Sequence, residues 1–331
     1  WAALAPLRMS EGELRREMAL RSDEPAETEV DHTELRFFTG GGAWLVLAGV
    51  VVSVLVFTPL LAWTTLGGGA LLPLNHTVAG LWAEAAYGIR HAGLGTIGAA
   101  DPLAAVVALI GTFTWWAPSQ AMVVLWVLAL PLALLGGWFA ATRVTDRAGL
   151  RIIAAIAWAL APTFLLSLQQ GRPTGVIVHL LLPWLFAVGA VAFRSWGAAG
   201  AASLLLIAVL ACAPVLALPL AVLWIVAIVL GRRGIARLLW LPVPALVVFA
   251  PLIWQRGFVE ARWWGLLADP GAVWAGPRAG VDASARAAVA AGFADGGDAG
   301  WSAMFASLGW QGGTLVAFVL VAPLAVLALL S

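Results

Sequence analysis

Polar and apolar positions along this chain are segregated into blocks rather than interleaved. Residues 1–36 are polar, with nine acidic residues and five arginines. Glu11 to Arg21 predicts a short charged helix, and Ser22 to Glu34 a solvated acidic linker with almost no apolar positions to bury. No short apolar core with a cleavage motif follows, so this stretch is not read as a signal peptide. The first long apolar run, Ala43–Trp63, is uncharged and sufficient to cross a ~30 Å hydrocarbon core. Further runs follow at Ala121–Thr142, Ile152–Leu168, Gly175–Phe193, Ala198–Ala213, Val215–Leu230, Leu238–Trp254 and Gly313–Leu330. The pattern predicts an all-α fold: a polytopic transmembrane helix bundle of about 8 spans.

One shorter run needs separate treatment. Pro102–Trp116 ends in paired tryptophans before Ala-Pro-Ser, a pattern suited to the headgroup level. It is read as an interfacial or re-entrant helix, with a shallow crossing as the alternative. If it does not cross, Arg143, Arg147, Arg151, Arg194, Arg232, Arg233 and Arg237 share the side of the N-terminal segment. Arg90 and Arg172 then lie on the other side, a short-loop comparison of seven against two. Arginine-rich short loops stay cytosolic. The expected organisation is a cytosolic acidic tether over residues 1–40 and a multi-span membrane domain over 41–331. Its two outer loops are 64–120, with interfacial helices, and 255–312. The chain opens at Trp1 and closes at Ser331 within an apolar run, and is read as an excerpt truncated at both ends.

Composition supports the class. Of 331 residues, 62% are hydrophobic and 11% charged, where a soluble domain carries about 25% charged. A net charge of +1 gives no electrostatic footprint for nucleic acid. The single cysteine, Cys212, excludes a disulfide within the chain, and the four histidines have no metal-ligand spacing, so no metal site is expected. There is no phosphate-binding Gly-Lys loop and no Gly-x-Ser-x-Gly elbow.

The scarce charges place the candidate chemistry. Between Arg147 and Val259 there is no carboxylate, which argues against an ion-coupled carrier and directs attention to the outer loops. In the first loop, Val78–Ile89 predicts an amphipathic surface helix with Trp82 and Tyr87 at the interface. Glu84 and Asp101 are the candidate general bases, while Arg90, beside His91, has the bidentate fork that suits a phosphate. The alternatives are anchoring of an interfacial helix for Glu84 and Arg90, and helix N-capping for Asp101 before Pro102. Gln169-Gln-Gly-Arg172 and His179 are read as the mouth of a cavity that receives an anionic headgroup, with a packing role as the alternative for His179. In the second loop Trp263, Trp264 and Asp269 suit sugar stacking or lipid contact, against simple headgroup anchoring.

Certain residues also carry a resemblance. Gly67-Gly-Gly-Ala-Leu-Leu-Pro73, Gly93-Leu-Gly95, Ala99-Ala-Asp-Pro102, Trp115-Trp-Ala-Pro-Ser119, Leu128-Ala-Leu-Pro-Leu-Ala-Leu-Leu-Gly-Gly-Trp138, Ala157-Trp-Ala-Leu-Ala-Pro162, His179-Leu-Leu-Leu-Pro-Trp184 and Leu266-Leu-Ala-Asp-Pro-Gly271 follow one another in this order. Over roughly residues 40–275 the chain resembles the membrane region of large actinobacterial family 2 glycosyltransferases. Its layout is also similar to membrane transferases of the GT-C type. The resemblance implies an integral-membrane glycosyltransferase, or the membrane portion of one, in cell-envelope polysaccharide or glycolipid synthesis. Its partners would be membrane lipid, a lipid-linked or nucleotide sugar and a glycan acceptor. No cofactor is expected within this stretch; a divalent metal would belong to a soluble transferase domain upstream, such as those family members carry. GT-C enzymes usually carry an acid soon after the first span, whereas here Thr64–Ala83 has none and Glu84 comes first. A lipid-linked saccharide flippase or exporter, and a non-catalytic anchor for a transferase domain, are the alternatives.

Overall fold

The structure is a computed structural model and describes residues 38, 40–67, 71–91, 97–230, 234–268 and 270. For residues 89–91, 97 and 230 it describes the backbone alone. By internal contacts the chain divides into residues 1–45 and 46–331. Nearly all of the expected tether, and the run Gly313–Leu330, lie outside the described residues.

The protein is mostly helical. Helix α1 spans Gly42–Phe57 and runs into a 3₁₀ turn, Thr58–Ala62. Then come α2 (Val78–Glu84) and the short antiparallel pair β1 (Ile89–His91) and β2 (Ile97–Ala99). Helices α3 (Pro102–Thr112), α4 (Gln120–Ala141), α5 (Ala148–Ala159) and α6 (Pro162–Gln169) follow. The remainder comprises α7 (Pro173–Gly189), α8 (Trp196–Cys212), α9 (Ala217–Leu230), α10 (Ile235–Trp240) and α11 (Val243–Ile253). A π-helical turn at Trp254–Val259 extends α11, so helix continues past the expected boundary at 255.

Four helical stretches are long and apolar enough to cross a membrane: Gly42–Ala62, Gln120–Ala141, Ala148–Gln169 and Ile235–Val259. The expected spans at 175–193, 198–213 and 215–230 fall on the shorter apolar helices α7, α8 and α9. Helix α3 has 11 residues, about 16 Å at the α-helical rise, well short of a crossing. It stops ahead of Pro118, and exposed Trp115 and Trp116 stand edge-on in the turn that follows. The predicted surface helix 78–89 is observed as the shorter α2, which Thr77 caps through its hydroxyl on the Gly80 N–H.

Register fixes the order inside the bundle. Helices α4 and α5 pack antiparallel, joined by residues 142–147, and Gly137 lets Trp158 approach until a Cβ there would lie 3.2 Å from the Trp158 Cβ. Helix α4 runs parallel to α7: Leu125 packs with Ile177 and Val178 near their starts, and Phe139 meets Trp184 near their ends at 5.4 Å. Helix α8 returns antiparallel to α7 after residues 190–195. This places Arg143, Arg147, Arg151 and Arg194 at one end of the bundle and Arg172 at the other. Arg237 joins the first group, donating to the carbonyls of Phe193 (2.7 Å) and Arg194 (2.8 Å).

Prolines inside apolar helices pose a specific problem, because each lacks the N–H that would serve the carbonyl four residues earlier. In this protein, side chains from neighbouring elements meet three such carbonyls, before Pro131, Pro183 and Pro251, and two more at helix junctions, where the Trp158 and Leu238 carbonyls also accept from the Ala161 and Leu241 N–H groups. Ser53 donates to Val127, four before Pro131. Trp158 Nε1 donates to His179, four before Pro183, at 3.2 Å. His179 Nε2 returns the bond to Trp158, four before Pro162, at 2.9 Å. Tyr87 donates to Val247, four before Pro251, at 3.0 Å, and Trp224 to Leu238, four before Pro242, at 2.7 Å. A carbonyl surrounded by hydrocarbon must be served from within the protein. These bonds tie separate elements together beside the prolines.

Candidate functional site

A half-open groove of about 730 Å³ lies where the end of α1 and its 3₁₀ turn meet α4 and the α6–α7 turn. That volume falls within the roughly 300–1,000 Å³ of ordinary small-molecule sites. One wall is apolar, formed by Val56, Phe57, Leu60, Trp63, Leu66 and Trp126 among others. The other end is polar and consists of Gln169, Gln170, Gly171 and Arg172. The lining therefore combines apolar and polar residues.

The polar end is rigidly built. Helix α6 ends at Gln169, and Gly171 takes a left-handed φ of 61°, a conformation that suits glycine. Around that residue the Gln170 N–H donates to Leu166 and the Arg172 N–H to Ser167, both at 2.8 Å. Trp126 Nε1 donates to the Leu168 carbonyl at 3.2 Å, which locks the turn to α4 and places the indole in the apolar wall. Arg172 is the N-cap residue of α7, and its side chain is exposed. Among the described residues it makes no ion pair; the pair that is present, Arg151–Asp146 at 3.3 Å, lies at the opposite end of the bundle. An unpaired guanidinium beside an apolar trough favours an amphiphile with an anionic head.

The other candidate residues are distributed differently. Asp101 accepts from the Leu103 N–H at 2.9 Å and is the N-cap of α3, with Pro102 at the first helical position. Glu84 is exposed at the end of α2 and accepts from Asn75 Nδ2 at 3.0 Å. Neither lines the groove. Arg90 and His91 lie on β1, where their backbones pair with Gly98 and Ile97, and their side chains are outside the described residues. His179 is buried and sandwiched between Trp158 (4.2 Å) and Phe164 (4.4 Å), away from the groove lining. Trp263 is half-exposed, packs edge-on against Phe258 at 4.9 Å and covers Gly257. Trp264 is 84% exposed, and Asp269 lies outside the described residues.

Of the expected set, the structure brings Arg172 and its Gln169-Gln170-Gly171 approach into one cavity. Sequence reading missed the partners that make it a cavity: Trp63 and Leu66 after the first span, and Trp126 inside the second. The one signal for Trp126 is a hydrogen-bonding indole in an otherwise featureless apolar run. Among the described residues, no group of histidine, cysteine or carboxylate side chains is arranged to hold a metal ion. No protein-family model, curated protein or solved structure matches the chain.

Proposed function

We propose that this chain is the membrane portion of an integral-membrane glycosyltransferase of cell-envelope polysaccharide or glycolipid synthesis. Its task would be to hold a lipid-linked substrate in the Arg172 groove. The observation that carries this reading is the pairing of an apolar trough with a guanidinium that has no carboxylate partner among the described residues. A phosphate on a lipid chain matches both ends at once. In this reading the bundle is multi-pass. Helices α7 and α8, each 17 residues and thus about 25 Å, cross with the help of their flanking turns, alongside the four long stretches. The end bearing Arg143, Arg147, Arg194 and Arg237 faces the cytosol together with the N-terminus, and the groove opens toward the outer leaflet.

Among the described residues the groove lining contains no carboxylate, which favours a division of labour: the lipid is positioned here, and sugar transfer is catalysed by a domain elsewhere in the protein. Glu84 and Asp101, already engaged with Asn75 and with the Leu103 N–H, serve in this reading to shape the outer surface. The test is photolabelling of the full chain in membranes with a diazirine-bearing farnesyl phosphate. Label is expected on residues 56–71, 126 and 168–172, displaced by dodecyl phosphate and reduced by Arg172→Ala. Label confined to other helices, or indifferent to Arg172→Ala, overturns the proposal.

A further inference from the structure

At the end of the bundle opposite the groove, two guanidinia are held against one turn. Arg237 Nη1 donates to the carbonyls of Phe193 and Arg194, and its guanidinium carbon stands 5.9 Å from the centre of the Trp196 ring. The Arg194 guanidinium lies 5.5 Å from the centre of the Phe193 ring, and among the described residues it makes no ion pair. Asp146, the carboxylate described at this end, is engaged by Arg151. Like charges gathered on one turn repel, and an anion between them relieves that cost. From this turn Trp196, Gly200 and Leu204 follow at four-residue spacing along one face of α8. Trp196 is 56% and Leu204 68% exposed, and a Cβ at Gly200 would meet nothing within 4 Å. An open apolar track about 12 Å long therefore starts at the ring beside Arg237.

We propose that the α7–α8 turn and this track form a binding site for an anionic phospholipid of the adjoining leaflet. The phosphate rests between Arg194 and Arg237, which still offers Nε and Nη2 after Nη1 has served the two carbonyls. One acyl chain runs along Trp196, Gly200 and Leu204. A soluble phosphate has no use for the track. A choline or ethanolamine headgroup brings a cation against two guanidinia. Basic residues at the margin of a helix bundle are suited to anionic headgroups for the same reason. The proposal uses the membrane reading of the chain and no residue of the Arg172 groove.

The test is native mass spectrometry of the full chain released from detergent, with dioleoyl phosphatidylglycerol or dioleoyl phosphatidylcholine added. The first phosphatidylglycerol is expected to bind more tightly than the first phosphatidylcholine by about 5-fold or more, the worth of one basic residue at a charged membrane surface. Arg194→Gln should lower that ratio several-fold and should fold, because its guanidinium holds no carbonyl of the bundle. Replacing Arg143 and Arg147 together by Gln removes more charge from the same end, yet should leave the ratio unchanged. Gly200→Phe closes the track and should weaken both lipids, while excess glycerol 1-phosphate should displace neither. The loss on Arg194→Gln should recur in an Arg172→Ala background, since the groove lies at the other end. No preference in the wild-type chain, an equal loss in the Arg143/Arg147 variant, or displacement by glycerol 1-phosphate overturns the proposal. A preference that vanishes with Arg172→Ala alone belongs to the groove; it overturns this site and leaves the groove reading standing.

Discussion

Trp158 and His179 serve each other's broken helices. The Trp158 indole donates to the His179 carbonyl at 3.2 Å, His179 Nε2 donates to the Trp158 carbonyl at 2.9 Å, and the two rings stack 4.2 Å apart. Each carbonyl stands four residues before a proline, Pro183 in one case and Pro162 in the other. The histidine for which sequence alone allowed either a cavity mouth or a packing role is thereby held in a reciprocal clasp between α5 and α7. Because its partner is a carbonyl, Nε2 must carry the proton.

His179→Phe should keep the ring stack but lose one hydrogen bond, and should cost roughly 0.6–1.5 kcal/mol. His179→Ala also empties a stacked, buried site and should cost more, on the order of 3 kcal/mol. Thermal unfolding in detergent measures both. Binding of dodecyl phosphate should survive His179→Phe, because the groove does not contain this residue. Loss of binding in a folded His179→Phe protein would return His179 to the site.

Proline is the reason Trp158 has a carbonyl to serve, so the two should be energetically coupled. Trp158→Phe is expected to destabilise the wild-type chain by about 1 kcal/mol beyond its small loss of volume. In a Pro183→Ala background, residue 183 regains an N–H for the His179 carbonyl, and the same Trp158→Phe change should cost measurably less. A double-mutant cycle reports this directly. Strict additivity would show that Pro183 does not create the requirement.

Gly234 opens α10 with a left-handed φ of 81°, and a Cβ there would collide with the Phe193 carbonyl oxygen. That same carbonyl accepts from Arg237 at 2.7 Å, so it is not free to withdraw. Gly234→Ala should therefore destabilise by at least about 1–2 kcal/mol. A lowered unfolding midpoint and a reduced yield of folded protein are the expected results. An unchanged midpoint would mean that α10 does not seat against the α7–α8 turn in this way.

Asp101 has two readings that its variants separate. As a helix N-cap, Asp101→Ala should cost about 1 kcal/mol, while Asp101→Asn, which keeps an accepting oxygen, should cost a few tenths at most. A general base would respond the other way, since Asn cannot accept a proton in catalysis. Stability and sugar transfer measured in membranes on both variants decide the matter. Wild-type transfer in Asp101→Asn confirms the cap, and abolished transfer with intact stability restores the base.

The candidate site was legible in the sequence in part. Gln169-Gln-Gly-Arg172 stands out because polar residues between two apolar runs have few roles beyond a turn or a mouth, and the structure places this stretch in the groove. Trp126 and Trp63 did not stand out. A tryptophan in an apolar run looks the same whether it faces lipid, core or cavity, and the Leu168 carbonyl that orients Trp126 lies 42 residues away. His179 was ambiguous for the same reason: its partners, Trp158 and Phe164, are on other helices, and no local pattern announces a stack.

The amino-acid sequence by itself determined a mostly helical chain with stretches apolar enough to cross a membrane. Those properties depend on local periodicity, run length and the breaks imposed by Pro and Gly, which each segment carries independently of its neighbours. The N-cap at Asp101 and the end of α6 at Gln169 belong to the same class of local information. Only the tertiary structure decided which freed carbonyls pair with which side chains, and which polar groups share one cavity. A hydrogen bond such as Tyr87 to Val247 joins residues 160 positions apart, and nothing in either segment encodes its partner. The helices are written locally; the groove exists only once α1, α4 and the α6–α7 turn are packed together.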